Sequence, residues 1–237
     1  MKRFPPIFVA AAVAACGRQE PAPQPGAGVV DSTMVVASES GVPSDSLPAV
    51  VFLGTSLTAG LGLEQDADTY VSRLREMGDS AGLPFRAINA GVSGETSAGG
   101  LRRLDWVLRQ PVDILVVELG ANDGLRGQDP FALSNNLTQI IRRSRTRYPA
   151  IRVILAGMEA PPNLGAAYTA TFRAVFVAVA ESEDTGLIPF LLDRVAGVPR
   201  LNQGDRIHPT PEGHRMVAEN AWPVLQQVLD ELDGGLR

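Results

Sequence analysis

Residues 49–63 read Ala-Val-Val-Phe-Leu-Gly-Thr-Ser-Leu-Thr-Ala-Gly-Leu-Gly-Leu, and the fold turns on how this stretch is parsed. The unbroken apolar run from Ala49 to Leu53 reads as a strand buried on both faces. It ends in Gly54-Thr55-Ser56, followed by a glycine-rich segment. A serine on the turn just past a parallel strand stands at the carboxyl edge of the sheet, where open α/β folds build their sites. The same residues also describe a capped helix start, with Ser56 or Thr58 as the N-cap. The stretch alone leaves both readings open, because a nucleophile needs a base and donors for an oxyanion supplied from elsewhere.

Working outward, short apolar runs alternate with longer amphipathic segments. Strands are expected at Ala49–Gly54, Phe85–Asn89, Asp113–Leu119, Ile151–Gly157 and Leu187–Leu192. Helices are expected at Thr69–Ala81, Thr96–Gln110, Phe131–Arg147 and Ala166–Glu183. A last helix opens with Thr210 as N-cap and Pro211 at its first position and runs toward Leu232. Pro223 is expected to kink or interrupt it. Strands separated by crossover helices give a parallel sheet covered on both faces. Trp106 and Trp222 are expected to pack between sheet and helices.

The chemistry can be sought among few residues, since the chain has two histidines. Asp205-Arg206-Ile207-His208 places a carboxylate three residues before an imidazole, in a loop ahead of the last helix. That spacing lets the carboxylate reach Nδ1–H and set the tautomer in which Nε2 accepts a serine proton. His214, in the first turns of the following helix, reads as a partly exposed surface residue. Donors for an oxyanion are offered by two loops that follow strands: Asn89–Thr96, with its glycines, and Gly120–Gly124, with the Asn122 amide. Ser56, Gly91 and Asn122 all fall at carboxyl ends of strands, on one edge of the sheet.

Gly54-Thr55-Ser56-Leu57, Gly91, Gly120-Ala121-Asn122-Asp123 and Asp205-x-x-His208 resemble, in order, the four blocks of the SGNH (GDSL-type) hydrolases. The stretches Asn89–Gly100, Glu118–Gly127 and Asp205–Gly213 look most like the bacterial arylesterase and thioesterase/lysophospholipase branch. The likeness spans about Val50 to Leu229. It implies a flavodoxin-like three-layer α/β/α sandwich with five parallel strands. It implies Ser56 as nucleophile, His208 as base, Asp205 as its orienter, and an oxyanion hole from the Ser56 N–H, the Gly91 N–H and the Asn122 side chain. Neither metal nor cofactor is implied, and the substrate would be a small acyl ester or thioester. Gly124–Gly127 resembles the loop that covers the acyl chain in thioesterase members. Two positions depart from the pattern: Thr55 stands where the family carries Asp, and Arg206 where it carries a small residue. Leu125, Pro161, Pro162, Asn163, Leu164 and Tyr168 lie in loops on the catalytic edge and are candidates to line an acyl pocket, or else to pack in the core or a lid.

Two other readings fit less well. An α/β-hydrolase wants Gly-x-Ser-x-Gly, which neither Ser56 nor Ser93 has. A non-catalytic ligand-binding protein on a flavodoxin-like scaffold lacks a Gly-x-Gly-x-x-Gly turn after a strand.

The amino-terminal part has a different character. Met1-Lys2-Arg3, the apolar run Phe4–Ala15 and small residues before Cys16 describe a secretory signal over residues 1–15. Val13-Ala14-Ala15-Cys16 resembles a bacterial lipobox, making Cys16 the expected lipidated first residue of the mature chain. Residues 16–48, rich in Pro, Gly, Ser and Ala, are expected to form a disordered tether, and residues 49–237 the hydrolase domain. The protein is thus expected to be exported and anchored to a membrane facing the periplasm, the outer membrane rather than the inner. A net charge of −5 argues against nucleic acid as a partner. Arg142, Arg143, Arg145 and Arg147 read as a solvated helix face.

Overall fold

The computed structural model describes residues 46–235, all within a unit that begins at Gly41. The signal, Cys16 and nearly all of the tether lie outside the described residues. Five strands, β1 (Ala49–Gly54), β2 (Arg86–Gly91), β3 (Ile114–Glu118), β4 (Arg152–Ala156) and β5 (Gly186–Ile188), form one sheet in the order β2-β1-β3-β4-β5. Every pairing is parallel. Among the described residues the α-helices are α1 (Ser56–Ala59), α2 (Tyr70–Ala81), α3 (Ser97–Val107), α4 (Ala121–Leu125), α5 (Pro130–Arg147), α6 (Ala166–Ser182) and α7 (Pro211–Gly235). Helices α2 and α7 pack together on one face, while α3, α5 and α6 pack in sequence on the other. This is the expected three-layer sandwich.

The central strands β1 and β3 are buried at every residue, which explains their unbroken apolar runs. Chain order reverses at β1: the crossover through α2 leads to β2 on one side, and the next returns to β3 on the other. A crevice therefore opens at the carboxyl ends of β1 and β3. Helix starts follow the local chemistry. The Thr69 hydroxyl accepts the Ser72 N–H at 3.1 Å, the Asp129 carboxylate the Phe131 N–H at 2.9 Å, and the Thr210 hydroxyl the Gly213 N–H at 3.2 Å.

Four expectations are corrected. The fifth strand is only Gly186–Ile188. Pro189 then breaks the ladder, and Leu191 N–H turns back to the Gly157 carbonyl at 3.0 Å. The apolar residues beyond it, Phe190 and Leu192, line a cavity instead of a sheet face. Trp106 is 60 % exposed, because two residues past the buried Leu104 lie about 200° around the helix. Trp222 does pack, partly buried, against the core. Helix α7 continues through Pro223 without interruption. That proline is exposed, so the Glu219 carbonyl that loses its partner faces water. His214 is not a surface residue: it is 1 % exposed, between α7 and α2.

Arg142 and Arg143 reach Glu183 and Asp105 at 2.8 and 2.6 Å. Arg147 lies over the Tyr148 ring. This exposed face of α5 is tied to its neighbours through ion pairs and ring contacts.

Candidate active site

Ser56 is the first residue of α1, two residues beyond the carboxyl end of β1, and is 9 % exposed. It does not cap the helix: Thr55 occupies that position and makes no side-chain capping bond. The turn is instead held from below by Glu118, the last residue of β3. Its carboxylate accepts the Thr55 N–H at 2.7 Å, the Thr55 hydroxyl at 2.9 Å, the Thr58 N–H at 3.2 Å and the Thr58 hydroxyl at 2.8 Å. Glu118 is fully buried. Burial raises its pKa, and the hydrogen bonds from the two threonines oppose that rise. This explains how the departure at Thr55 is tolerated. A hydroxyl and an N–H from one residue both donate to a carboxylate, where an acid would have set two carboxyl groups against each other.

The loop bearing Asp205 and His208 is closed by a short antiparallel contact. Asn202 pairs with Pro209, and Gln203 N–H donates to the His208 carbonyl at 2.7 Å. Inside it, one Asp205 oxygen accepts the N–H groups of Ile207 and His208 at 2.9 and 3.0 Å. The other lies 2.6 Å from His208 Nδ1. The imidazole hydrogen bond, reinforced by those two amides, holds the Asp205 carboxyl well below the usual carboxylate range. His208 Nε2 in turn lies 2.9 Å from Ser56 Oγ. An anionic carboxylate on Nδ1–H leaves Nε2 free to take the hydroxyl proton and stabilises the imidazolium that results.

The expected donors separate on inspection. Asn122, in α4, is fixed by one Nδ2–H donated to the Glu95 carbonyl at 3.0 Å, and it lines the cavity beside Ser56. Gly91 does not serve. It ends β2, its N–H donates to Asn89 Oδ1 at 2.9 Å, and the space a side chain would take is filled by the Ala59 backbone at 2.3 Å. The cavity reaches Gly94 instead, three residues farther along the same loop, with φ +78°. The Gly94 N–H meets no acceptor among the described residues. The expectation stopped at the glycine in register with the strand end, whereas the open loop carries a second glycine just before the Thr96 cap.

The cavity above Ser56 holds about 550 Å³. Leu125 and Pro161 line it as expected. Asn163 and Tyr168 are not in its wall, and the Tyr168 hydroxyl is committed to the Gln128 carbonyl at 2.6 Å. Pro162, from the same loop, lines it too, and Met158, Phe190 and Leu192 complete an apolar side that loop assignments alone did not reveal. Among the described residues no three His, Cys, Asp or Glu side chains converge as a metal site. His214 is absent from the cavity. Its Nδ1 accepts the Tyr70 N–H at 3.2 Å, its ring stacks on Tyr70, and burial lowers its pKa to about 4.

A parallel α/β sandwich with a serine, an imidazole and a carboxylate in hydrogen-bonded series at its switch point defines a serine hydrolase scaffold. Residues 52–216 match the GDSL-like Lipase/Acylhydrolase family, and the chain belongs to it. It is 40 % identical to the esterase TesA of Pseudomonas aeruginosa, over 76 % of this chain and 89 % of that one. It is 33 % identical to an arylesterase of Vibrio mimicus (74 % and 87 % covered). Identity is also 33 % with the thioesterase 1/protease 1/lysophospholipase L1 of Escherichia coli (76 % and 85 %). The crystal structure of TesA superposes with a TM-score of 0.72 at 39 % identity, covering 76 % of this chain and 99 % of that one.

Proposed function

We propose that this protein is a carboxylic-ester hydrolase that works through an acyl-enzyme on Ser56. His208 removes the Ser56 proton as Oγ attacks the acyl carbonyl, then returns it to the departing alcohol or thiol. Asp205 holds the imidazole in register. A water activated by the same imidazole then releases the acid. The oxyanion lies against the Ser56 N–H, which as the first residue of α1 has no acceptor within that helix, the Gly94 N–H and the second Nδ2–H of Asn122. The observation that carries this reading is the Asp205–His208–Ser56 series at 2.6 and 2.9 Å on the floor of an apolar cavity. Substrates are esters or thioesters with short to medium acyl chains, and aryl esters are the first to test. The names of the relatives support that range.

The experiment is labelling with a fluorophosphonate probe beside hydrolysis of p-nitrophenyl acetate. Wild type takes up the probe and turns over the ester; Ser56→Ala does neither. Equal hydrolysis by Ser56→Ala would end the assignment.

We also propose that residues 1–15 are removed, that Cys16 carries lipid, and that the domain works on a tether at the periplasmic face of the outer membrane. The charged start, the apolar run and Val13-Ala14-Ala15-Cys16 support this. Radiolabelled palmitate should enter the wild type and not Cys16→Ala; equal incorporation rejects it.

A further inference from the structure

Arg206 sits between the orienting acid and the base, and its backbone has φ +61°, a left-handed conformation that favours glycine. A residue placed there for the turn alone would be glycine or asparagine. The Arg206 N–H closes the turn on the Gln203 carbonyl at 2.9 Å, which any residue but proline would do. Its side chain lines the cavity and is exposed at the mouth, and its guanidinium meets no acid among the described residues.

The charges around it are already satisfied. Asp205 spends its carboxylate on His208 and two backbone amides. Glu159, the acid in the cavity wall, is paired with Arg173 at 2.7 Å. A second guanidinium, Arg126, donates only to the Gly94 carbonyl at 2.9 Å. Asp205 keeps its negative charge, so Arg206 at the mouth and Arg126 beside Gly94 together leave one positive charge in excess there, on a chain whose net charge is −5. A residual positive field at a partly enclosed site draws anions.

The mechanism fixes which end of a substrate meets that charge. The departing oxygen or sulfur must come within hydrogen-bond reach of His208 Nε2 to receive its proton. The loop that presents His208 also presents Arg206, while the acyl side of the cavity is bounded by Leu125, Met158, Pro161, Phe190 and Leu192. We infer that Arg206 forms an anion subsite for the leaving group, so that the enzyme selects amphiphilic esters with an apolar acyl chain and a carboxylate, sulfate or phosphate on the departing alcohol. This rests on the ester-hydrolase reading above.

The test compares 4-(hexanoyloxy)benzoate with its methyl ester, which share an acyl chain and a leaving oxygen and differ in one negative charge. For the full-length wild type, kcat/KM should favour the anionic ester by about fivefold to tenfold, through KM, as for a charge-assisted contact at a partly exposed site. In 0.5 M NaCl the ratio should shrink. Arg206→Gly, which suits the left-handed turn, should lower the ratio by about fivefold to tenfold relative to wild type, and Arg206→Lys should restore part of it. Because the ratio is taken within one variant, a general loss of activity cancels. An anion placed on the acyl side, in p-nitrophenyl hydrogen adipate against p-nitrophenyl hexanoate, should give a ratio insensitive to Arg206. An unchanged leaving-group ratio in Arg206→Gly, or an Arg206-dependent acyl-side ratio, overturns the subsite while leaving ester hydrolysis intact. Failure of the wild type to hydrolyse any of these esters overturns the underlying reading instead.

Discussion

His208 and His214 are six residues apart, on either side of the start of α7, and each has an acid nearby in sequence. Their environments differ in every respect that matters to an imidazole. Facing the cavity, His208 has a carboxylate on Nδ1 and a hydroxyl on Nε2. Between two helices, His214 has a backbone amide on Nδ1 and an aromatic ring on its face. Its neighbour Glu212 turns away to Arg200. A carboxylate partner prepares an imidazole to accept a proton, whereas an amide donor and burial keep it neutral. The role of each ring is set by its two nitrogens, not by its distance from an acid along the chain.

Exchanging the two histidines for alanine, one at a time, is the strongest way to break this contrast. His208→Ala should lower turnover of an activated ester by roughly 10⁴-fold or more, with little change in the thermal midpoint, since its ring borders the cavity and is not part of the buried core. His214→Ala should reverse the pattern. It opens a void beneath Tyr70 and strands a buried N–H, costing about 2–4 kcal/mol, with turnover per folded molecule nearly unchanged. Parallel losses of turnover in the two variants would erase the distinction. Asp205→Asn probes the same point from the other partner. The amide cannot hold the Nδ1–H tautomer, so a loss on the order of 10⁴-fold is expected, again without unfolding.

Asn122→Ala comes next, with an expected loss of about 10²–10³ in kcat and a small change in KM, as for removal of one oxyanion donor. A kcat left unchanged, with any loss confined to a rise in KM, would mean that the side chain merely holds the Glu95 carbonyl.

How much of this could be read from residue order depended on the kind of contact involved. The central strands were legible because burial on both faces leaves unbroken apolar runs. The Asp205–His208 link was legible because both residues lie within one loop. The switch-point edge followed from counting strands and helices. Contacts between distant segments were not legible. Leu187–Leu192 has the composition of a strand, yet only its first residues find an edge to pair with, while Phe190 and Leu192 face the cavity and Leu191 joins the core. Trp106 has the right chemistry for the core and the wrong angular position on α3. Glu118 left a trace, an acid in an otherwise apolar strand, but its meaning needed two threonines 60 and 63 positions away. Gly94 and Gly91 look alike in sequence, and only the register of β2 separates them.

The remaining test concerns His214 alone and sharpens the contrast without touching catalysis. The folded protein holds this imidazole neutral down to about pH 4, whereas an unfolded chain protonates histidine near 6.5. Between those values the unfolded state binds the extra proton. The contribution of His214 to stability is therefore complete above about pH 6.5 and is lost as pH falls toward 4. The loss by pH 4 is on the order of 3 kcal/mol. Carboxylates titrate in the same window, so the measurement is a difference. His214→Asn keeps an acceptor for the Tyr70 N–H and has no proton to gain. Urea unfolding of wild type and variant at pH 7, 5.5 and 4 should show the wild type losing more stability by that amount. Curves that stay parallel across the three pH values would mean that His214 opens to water and titrates as an ordinary surface histidine.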